Sequence, residues 1–165
     1  MNERVTQALR ETAEGTFESM AFIMPIPDEP PADCSCEDCT HVRVEFSGAY
    51  RGVLGICVTN ELMSEVATNM LGLDFGEQAP AEQQQDALKE LANVVCGNIL
   101  PEMAGADAVF DVSAPEVTGG CDRRSAEEEL EMVVDTTVPL EAGVARLFLR
   151  IEPDAAAGLR NSSAA

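Results

Sequence analysis

The sequence has few aromatic residues and few positive charges. Aromatics make up 4% of the 165 residues and tryptophan is absent, so the core must be built from Leu, Val, Ile, Met and Ala. Only 10 residues are Lys or Arg against 30 Asp or Glu, and the formal net charge is −20. This balance excludes nucleic acid as a partner, because phosphate backbones need basic patches, and it excludes anionic membrane surfaces. Any acidic partner must be held by close contacts, since long-range attraction would be unfavourable.

Long apolar runs and common catalytic motifs are also missing. No stretch approaches the length of a transmembrane helix, and the first residues carry no hydrophobic signal segment. The single histidine, without a nucleophile elbow or a Gly-rich phosphate-binding motif, gives no support to common hydrolase and kinase schemes. Six cysteines without an export signal favour the reducing cytoplasm over a disulfide scaffold. We therefore expect a cytoplasmic protein.

Hydrophobic periodicity predicts an α+β fold, an antiparallel β-sheet packed against helices. Helical spacing covers residues 3–22, 60–71 and 80–103, and strand signals cover 41–46, 50–59, 109–117, 129–138 and 144–151. The length fits a single domain, which we assign to 1–152. Residues 25–40 form a loop insertion rich in Cys, Pro and Asp, and 153–165 are expected to be a flexible C-terminal tail.

One predicted helix, over residues 80–103, has poor helix formers on its solvent-exposed face. Its apolar residues recur with the i, i+3, i+4, i+7 spacing of a buried face: Leu88, Leu91, Ala92, Val95 and Ile99. At about 100° per residue, Asp86, Glu90, Asn93 and Gly97 lie on the opposite side. Asn and Gly are poor helix formers, and Gly costs roughly 1 kcal/mol relative to Ala. Their presence on an otherwise regular helix indicates a site.

The run Asp86-Ala87-x-x-Glu90-Leu91-Ala92-Asn93-x-x-x-Gly97-Asn98 resembles the signature helix of the CheC, CheX and FliY phosphatases of bacterial chemotaxis. Their shared pattern is Glu-x-x-Asn followed by Gly-Asn. The order of predicted elements over about residues 3–152 is similar as well, and 16–22 resembles the family's first helix. CheC and FliY usually carry two signature helices, so this chain most resembles CheX. The resemblance implies a CheC/CheX-like fold and a homodimer with a sheet continued across the interface, for which the sequence itself shows only plausible edge strands.

The resemblance also implies an activity, hydrolysis of the aspartyl phosphate on a CheY-like receiver domain, the response regulator of two-component signalling. Asn93 would orient the attacking water, because an amide both donates and accepts hydrogen bonds. Glu90 would pair with a receiver lysine beside the phosphorylated aspartate. Asp86 and Gly97 are assigned to the partner-binding face, where Gly97 leaves room for the partner's backbone. Mg²⁺ would be held by the receiver, so no cofactor or metal of the chain's own is expected.

Other interpretations of the same residues stay open. Glu90 and Asn93 fit an ordinary solvated helix face, and Asp86 fits an exposed acid favoured by the helix dipole. Gly97 could instead allow close helix packing in a dimer. For the whole chain, one alternative is a non-catalytic module of the same fold that binds a receiver or switch partner. Another is a regulator that responds to metal or redox state through a cysteine cluster.

That cluster comprises Cys34, Cys36, Cys39 and His41. Structural Zn²⁺ sites use four Cys or His ligands, so zinc could bind here. However, the spacing lacks the paired Cys-x-x-Cys knuckles of common zinc modules, and the cluster departs from the family pattern. A loop bearing reduced thiols is therefore favoured over zinc. A catalytic thiol is least favoured, because the neighbouring acidic residues disfavour thiolate.

Overall fold

The computed structural model describes residues 2–27, 38–118 and 129–162. In chain order the elements are α1 (Glu3–Ala21), β1 (Cys39–Gly48), β2 (Gly52–Thr59), α2 (Asn60–Leu71), α3 (Ala81–Ala104), β3 (Phe110–Val112), β4 (Glu116–Thr118), β5 (Glu131–Leu140), β6 (Gly143–Ile151) and α4 (Pro153–Ser162). The predicted hairpin of β1 and β2 is present, as are the three predicted long helices.

The strands form one antiparallel sheet in the order β3-β1-β2-β6-β5, with β4 also pairing with β1. Val42 of β1 lies opposite Ile56 of β2, and Leu54 of β2 lies opposite Leu149 of β6. The hairpin of β5 and β6 completes the sheet through a turn at Glu141 and Ala142. This arrangement confirms the predicted α+β fold with an antiparallel sheet packed against helices.

The helices α1, α2 and α3 cover one face of this sheet and pack against one another. Alternate residues of each strand therefore enter the core, as the two-residue period of a strand requires. On β1, Val42, Val44 and Phe46 belong to the core, whereas His41 and Arg43 lie on the face away from the helices. The core is mostly aliphatic, as the shortage of aromatic residues predicted, and Phe17 and Phe46 are its buried aromatic residues.

Local capping chemistry sets the ends of α2. The Thr59 hydroxyl accepts a hydrogen bond from the Leu62 amide at 3.4 Å, and Gly72 ends the helix in the left-handed conformation with φ 64°. A threonine hydroxyl and a left-handed glycine are common helix caps, so the ends of α2 follow from local sequence. For α3, Pro80 is the N-cap and the helix begins one residue later, at Ala81.

The predicted strand over 109–117 is wrong as a continuous element, because the structure divides it into β3 and β4. Between the two pairings, β1 advances three residues, from Arg43 to Phe46, while the partner segment covers four, from Val112 to Glu116. The extra residue forms a β-bulge between β3 and β4. Pro115 lies in this bulged segment and has no amide hydrogen to donate to the pairing with β1.

The prediction of a flexible tail over 153–165 is wrong for residues 153–162, which form α4. Pro153 occupies the first helical position, where a missing amide hydrogen costs nothing. Ala156 is fully buried, and the Leu159 carbonyl accepts a hydrogen bond from Asn2 Nδ2 at 2.9 Å. Tertiary contacts therefore order a segment whose composition is typical of a frayed end. Residues 163–165 lie outside the described part.

The predicted loop insertion over 25–40 is described only at its two ends, because 28–37 lie outside the described residues. At its start, Pro25 forms an isolated bridge with Leu140, and the Met24 carbonyl accepts from the Glu141 amide at 3.1 Å. At its end, β1 begins at Cys39, two residues earlier than the alternation indicated. None of the described helices is long and apolar enough to cross a membrane.

Candidate functional site

Helix α3 holds the predicted site residues on a firmly packed scaffold. The five apolar residues predicted to share its inner face all have 0% exposure: Leu88, Leu91, Ala92, Val95 and Ile99. Both α1 and α2 pack along its sides. Because packed side chains in a core resist displacement, the helix presents its outward residues in one fixed orientation.

The outward face of α3 carries Asp86, Glu90, Asn93 and Gly97, and all four are exposed. The predicted placement of these residues on one solvent face is thus confirmed, and their roles remain predictions. Glu90 and Asn93 lie three residues apart, where helical side chains are neighbours. Within the described part of the chain, no hydrogen bond occupies either side chain. A carboxylate and an amide are therefore both available to a partner.

Of the two carboxylates on this face, that of Asp86 has a cation beside it among the described residues and that of Glu90 does not. Lys89 Nζ lies 3.8 Å from Asp86 Oδ1, and the two side chains are 37% and 66% exposed. An exposed pair of this kind contributes at most about 1 kcal/mol to stability, but it offsets the charge of Asp86. No cation among the described residues lies within ion-pair distance of Glu90, so Glu90 is the carboxylate on this face that is left to meet a cation from outside.

Gly97 adds a backbone acceptor to the same face. In an α-helix its carbonyl would accept from the amide four residues later, but that residue is Pro101, which lies inside α3. Proline has no amide hydrogen, so the carbonyl of Gly97 lacks its usual helical donor. A Cβ added at Gly97 would meet nothing within 4 Å. Gly97 therefore offers clearance to an approaching molecule, together with a carbonyl that lacks its usual helical donor.

A groove between α1 and α3 runs alongside this face. It is lined on the α3 side by Val94, Asn98 and Glu102. On the α1 side it is lined by Ala8, Glu11, Thr12, Gly15, Thr16 and Ser19. Asn98 belongs to the Gly-Asn of the sequence pattern, but sequence reasoning gave it no role. The pairing of two poor helix formers at 97–98 was the available signal, and only helix packing shows that the second one faces α1.

The described members of the predicted cysteine cluster, Cys39 and His41, belong to β1 and not to α3. Cys34 and Cys36 are outside the described residues, so the four-ligand set is not described as a whole. His41 is 3% exposed and lies on the sheet face opposite the helices, with Nδ1 2.6 Å from Thr118 Oγ1. Burial and, secondarily, the Arg43 charge lower the pKa of His41. Among the described residues, no group of three or more His, Cys, Asp or Glu is placed to hold a metal ion.

The buried thiol of Cys96 is not a reactive group of the site. Cys96 lies on α3 but has 0% exposure, and burial raises its pKa to about 12. Because the thiolate is the nucleophilic form, this cysteine acts as a small core residue.

A sequence comparison matches a protein-family model to much of the chain. The family is described as "Chemotaxis phosphatase CheX", and the match covers residues 41–137. That range is more than half of the 165 residues and includes all of α3. No curated protein sequence matches the chain.

Several solved structures share the fold. CheX from Desulfovibrio desulfuricans is 18% identical with a TM-score of 0.69, over 90% of this chain and 99% of that one. CheX from Vibrio vulnificus is 22% identical with a TM-score of 0.68, over 92% and 99%. A CheX–CheY–BeF3–Mg²⁺ complex from Borrelia burgdorferi contains a chain that is 17% identical with a TM-score of 0.64, over 92% and 99%. At these identities the likeness establishes the shared fold.

Proposed function

The chain belongs to the chemotaxis phosphatase CheX family, and we propose that it hydrolyses the aspartyl phosphate of a CheY-like receiver domain. The observation that carries the proposal is the outward face of α3, where Glu90 and Asn93 are neighbours, exposed, and free of partners among the described residues. The Borrelia complex, in which a CheX is bound to CheY with BeF3 and Mg²⁺, supports a receiver as the partner. The six cysteines favour the cytoplasm as the place of this reaction.

Asn93 is proposed to position the attacking water. Hydrolysis of a phosphoryl group needs a water in line with the bond that breaks, and its catalysis is mostly positioning and charge stabilisation. The Asn93 amide can accept one hydrogen bond from the water and donate another. A carboxylate in its place would bring a second negative charge against the phosphoryl oxygens. The water's oxygen bonds to phosphorus as the bond between phosphorus and the aspartate oxygen breaks. The aspartate leaves as a carboxylate with the electron pair of that bond, and the two protons of the water end on the inorganic phosphate.

Glu90 is proposed to dock the receiver. Its carboxylate can accept charge-assisted hydrogen bonds from a lysine beside the phosphorylated aspartate. Such a pair would set the reach of Asn93, one helical turn away. Asp86 would add to the same contact surface, and Gly97 would let the receiver's backbone approach. Mg²⁺ is assigned to the receiver, where it would neutralise the phosphoryl oxygens.

The test is the rate of phosphate loss from a purified CheY-type receiver of the same genome, phosphorylated with acetyl phosphate. We expect the wild-type protein to accelerate this loss. Asn93→Ala should return the rate to that of the receiver alone while largely keeping binding, and Glu90→Ala should weaken both. Glu141→Ala serves as the matched control, since it removes an exposed carboxylate from the β5–β6 turn.

Two results would contradict the proposal. If Asn93→Ala accelerated phosphate loss as fast as wild type, Asn93 would not position the water. If the wild-type protein bound the phosphorylated receiver without accelerating phosphate loss, the alternative of a non-catalytic binding module would be correct. The metal- or redox-responsive alternative predicts instead that zinc or oxidant changes receiver binding.

We also propose that the protein forms a homodimer through the edge of the sheet at β3. Support comes from exposed apolar side chains at and just before β3, since Val109 is 77% and Val112 is 38% exposed. It also comes from the outer edge of β3, which among the described strands pairs only with β1. Two copies related by a two-fold axis would pair this edge with itself. Val112→Lys should shift the protein from dimer to monomer in sedimentation equilibrium. A wild-type protein that is monomeric at tens of micromolar would refute the dimer.

A further inference from the structure

Three described helical glycines, Gly15, Gly97 and Gly158, have no explanation within the chain. Most other described glycines have one: at Gly55, for example, an added Cβ would overlap the Phe148 ring, and Gly72 needs its positive φ. Gly15 in α1 and Gly97 in α3 are exposed, and a Cβ at either would meet nothing within 4 Å. Each costs about 1 kcal/mol of helix stability relative to alanine. Gly15 and Gly97 differ from Gly158 because they adjoin the same surface beside Glu90 and Asn93, and this shared location indicates contact with something outside the chain.

The two glycines lie on either side of one surface. Gly15 lines the groove between α1 and α3, and Gly97 belongs to the outward face of α3. Between them lie Val94 and Asn98, which follow Asn93 and Gly97 directly in sequence and form the α3 wall of the groove. The proposed catalytic edge therefore continues into the groove without an intervening ridge of large side chains. On α1, the groove is bordered by Thr12 and Ser19, which are also small.

The outward face of α3 is too narrow to hold a protein partner by itself. From Asp86 to Gly97 the helix rises about 16 Å, and it is roughly 10 Å wide. The strip therefore presents an area on the order of 200 Å², against about 800 Å² per partner in a specific protein interface. A receiver docked on Glu90 and Asn93 must contact further surface, and the groove adjoins this strip directly.

The charges of the groove indicate the chemistry of the segment that it could bind. Its lining residues in the described part of the chain include the carboxylates of Glu11 and Glu102, and no lysine or arginine. Both carboxylates are exposed. A segment with basic side chains would be complementary to these two groups, whereas an acidic segment would be repelled. Val94 supplies a half-buried apolar contact, and Asn98 supplies an amide that can donate and accept.

Resting on the proposed function, we propose that the receiver's docking surface extends from α3 across the groove onto α1. A basic segment of the receiver lies against Gly15, with its cations towards Glu11 and Glu102. Asn98 is a specificity-determining contact in this footprint. Gly15 leaves room for the receiver to approach α1, as Gly97 leaves room for it to approach α3.

The experiment measures phosphate loss at varied concentrations of the phosphorylated CheY-type receiver, which separates KM from kcat. Gly15→Gln fills the groove floor and should raise KM at least tenfold with kcat within twofold of wild type. Gly15→Ala should raise KM less, by about two- to fivefold, while raising Tm because alanine favours the helix. Gly158→Gln and Gly158→Ala are the matched controls, since Gly158 is also exposed in a helix with nothing within 4 Å of an added Cβ. They should leave KM unchanged.

A second arm tests the charge of the occupant. Glu11→Gln with Glu102→Gln should raise KM severalfold and flatten its dependence on salt, since the interaction of exposed charges is screened by ions. Asn98→Ala should raise KM for this receiver more than for a receiver of another organism. An unchanged salt dependence would refute a basic occupant.

The outcomes separate this inference from the function on which it rests. If the wild-type protein does not accelerate phosphate loss, the proposed function fails and the docking surface fails with it. The docking surface alone is refuted if three results occur together: wild type accelerates the loss, Asn93→Ala does not accelerate it, and Gly15→Gln has the KM of wild type. If Gly15→Gln changes the sedimentation of the protein but not KM, the groove holds a second copy of this chain instead. Circular dichroism of each variant confirms folding, and Gly15→Ala decides the matter if Gly15→Gln does not fold.

Discussion

Replacing Asn93 and Gly97 together by alanine should make the protein more stable and inactive at the same time. Both residues lie on the outward face of α3 and are exposed. In helices, asparagine is about 0.5 kcal/mol and glycine about 1 kcal/mol less favourable than alanine. Neither alanine methyl group needs space that another residue fills, because an added Cβ at Gly97 meets nothing within 4 Å. The double variant should therefore gain about 1.5 kcal/mol.

The gain is large enough to measure. For a chain of this length, 1 kcal/mol corresponds to roughly 2–4 °C in Tm, so Asn93→Ala/Gly97→Ala should melt about 3–6 °C higher than wild type. Urea denaturation should give the same gain with an unchanged m value, since the folded structure is unaltered. The phosphatase assay on the same samples should show phosphate loss at the rate of the receiver alone.

Two results would refute this reasoning in different ways. A double variant less stable than wild type would mean that Asn93 or Gly97 supports the fold, so that exposure was a poor guide to its role. A double variant that is both more stable and fully active would mean that these unfavourable helix residues are not retained for catalysis. Gly158→Ala provides the scale for a helical glycine replaced far from α3, and it should raise Tm without affecting activity.

Two further predictions concern the sheet. Burial lowers the pKa of His41, so the folded protein binds this proton less tightly than the unfolded chain does. In the unfolded chain a histidine titrates at about 6.5. The contribution of neutral His41 to folding stability is therefore present above that pH and is lost as pH falls through the lowered folded pKa. Urea denaturation from pH ~7.5 to ~5 should therefore show a greater loss for wild type than for His41→Gln, and parallel profiles would contradict it. Gly55→Ala should destabilise by about 1–3 kcal/mol, since overpacking forces neighbouring groups to move and the added methyl overlaps the Phe148 ring. Gly55→Ala/Phe148→Leu should recover part of this loss in the same measurement, and an unchanged Tm for Gly55→Ala would show that the ring adjusts freely.

Local chemistry made much of the fold predictable. The inner face of α3 follows from the spacing of Leu88, Leu91 and Val95, which is a property of the sequence within a few turns. The ends of α2 follow from Thr59 and Gly72, because a hydroxyl cap and a left-handed glycine act on adjacent backbone groups. The outward position of Glu90 and Asn93 is predictable for the same reason.

What depends on distant residues could not be predicted. Helix α4 is ordered through Ala156 and Leu159, whose neighbours belong to segments far away in the chain, so its polar, alanine-rich composition gave no signal. The strand order likewise depends on pairings between remote segments. The groove beside the site requires α1 and α3 to pack antiparallel, and no local pattern shows that Gly15 would lie across from Asn98.

The contacts of Asn2 have a consequence for how the protein is made. Its side chain caps α1 at the Val5 amide, its backbone amide donates to the Val133 carbonyl, and its Nδ2 reaches Leu159, 157 residues further on. A ribosome adds about 5–20 residues per second, so Leu159 is synthesised about 8–30 s after Asn2. Until then α1 lacks this contact with α4, and the apolar side of α3 that packs against α1 is only partly covered. Completion of the surface around Asn93 is thus tied to α4, which is synthesised well after α3, and growing chains that stall before α4 should be the ones that chaperones and proteases meet.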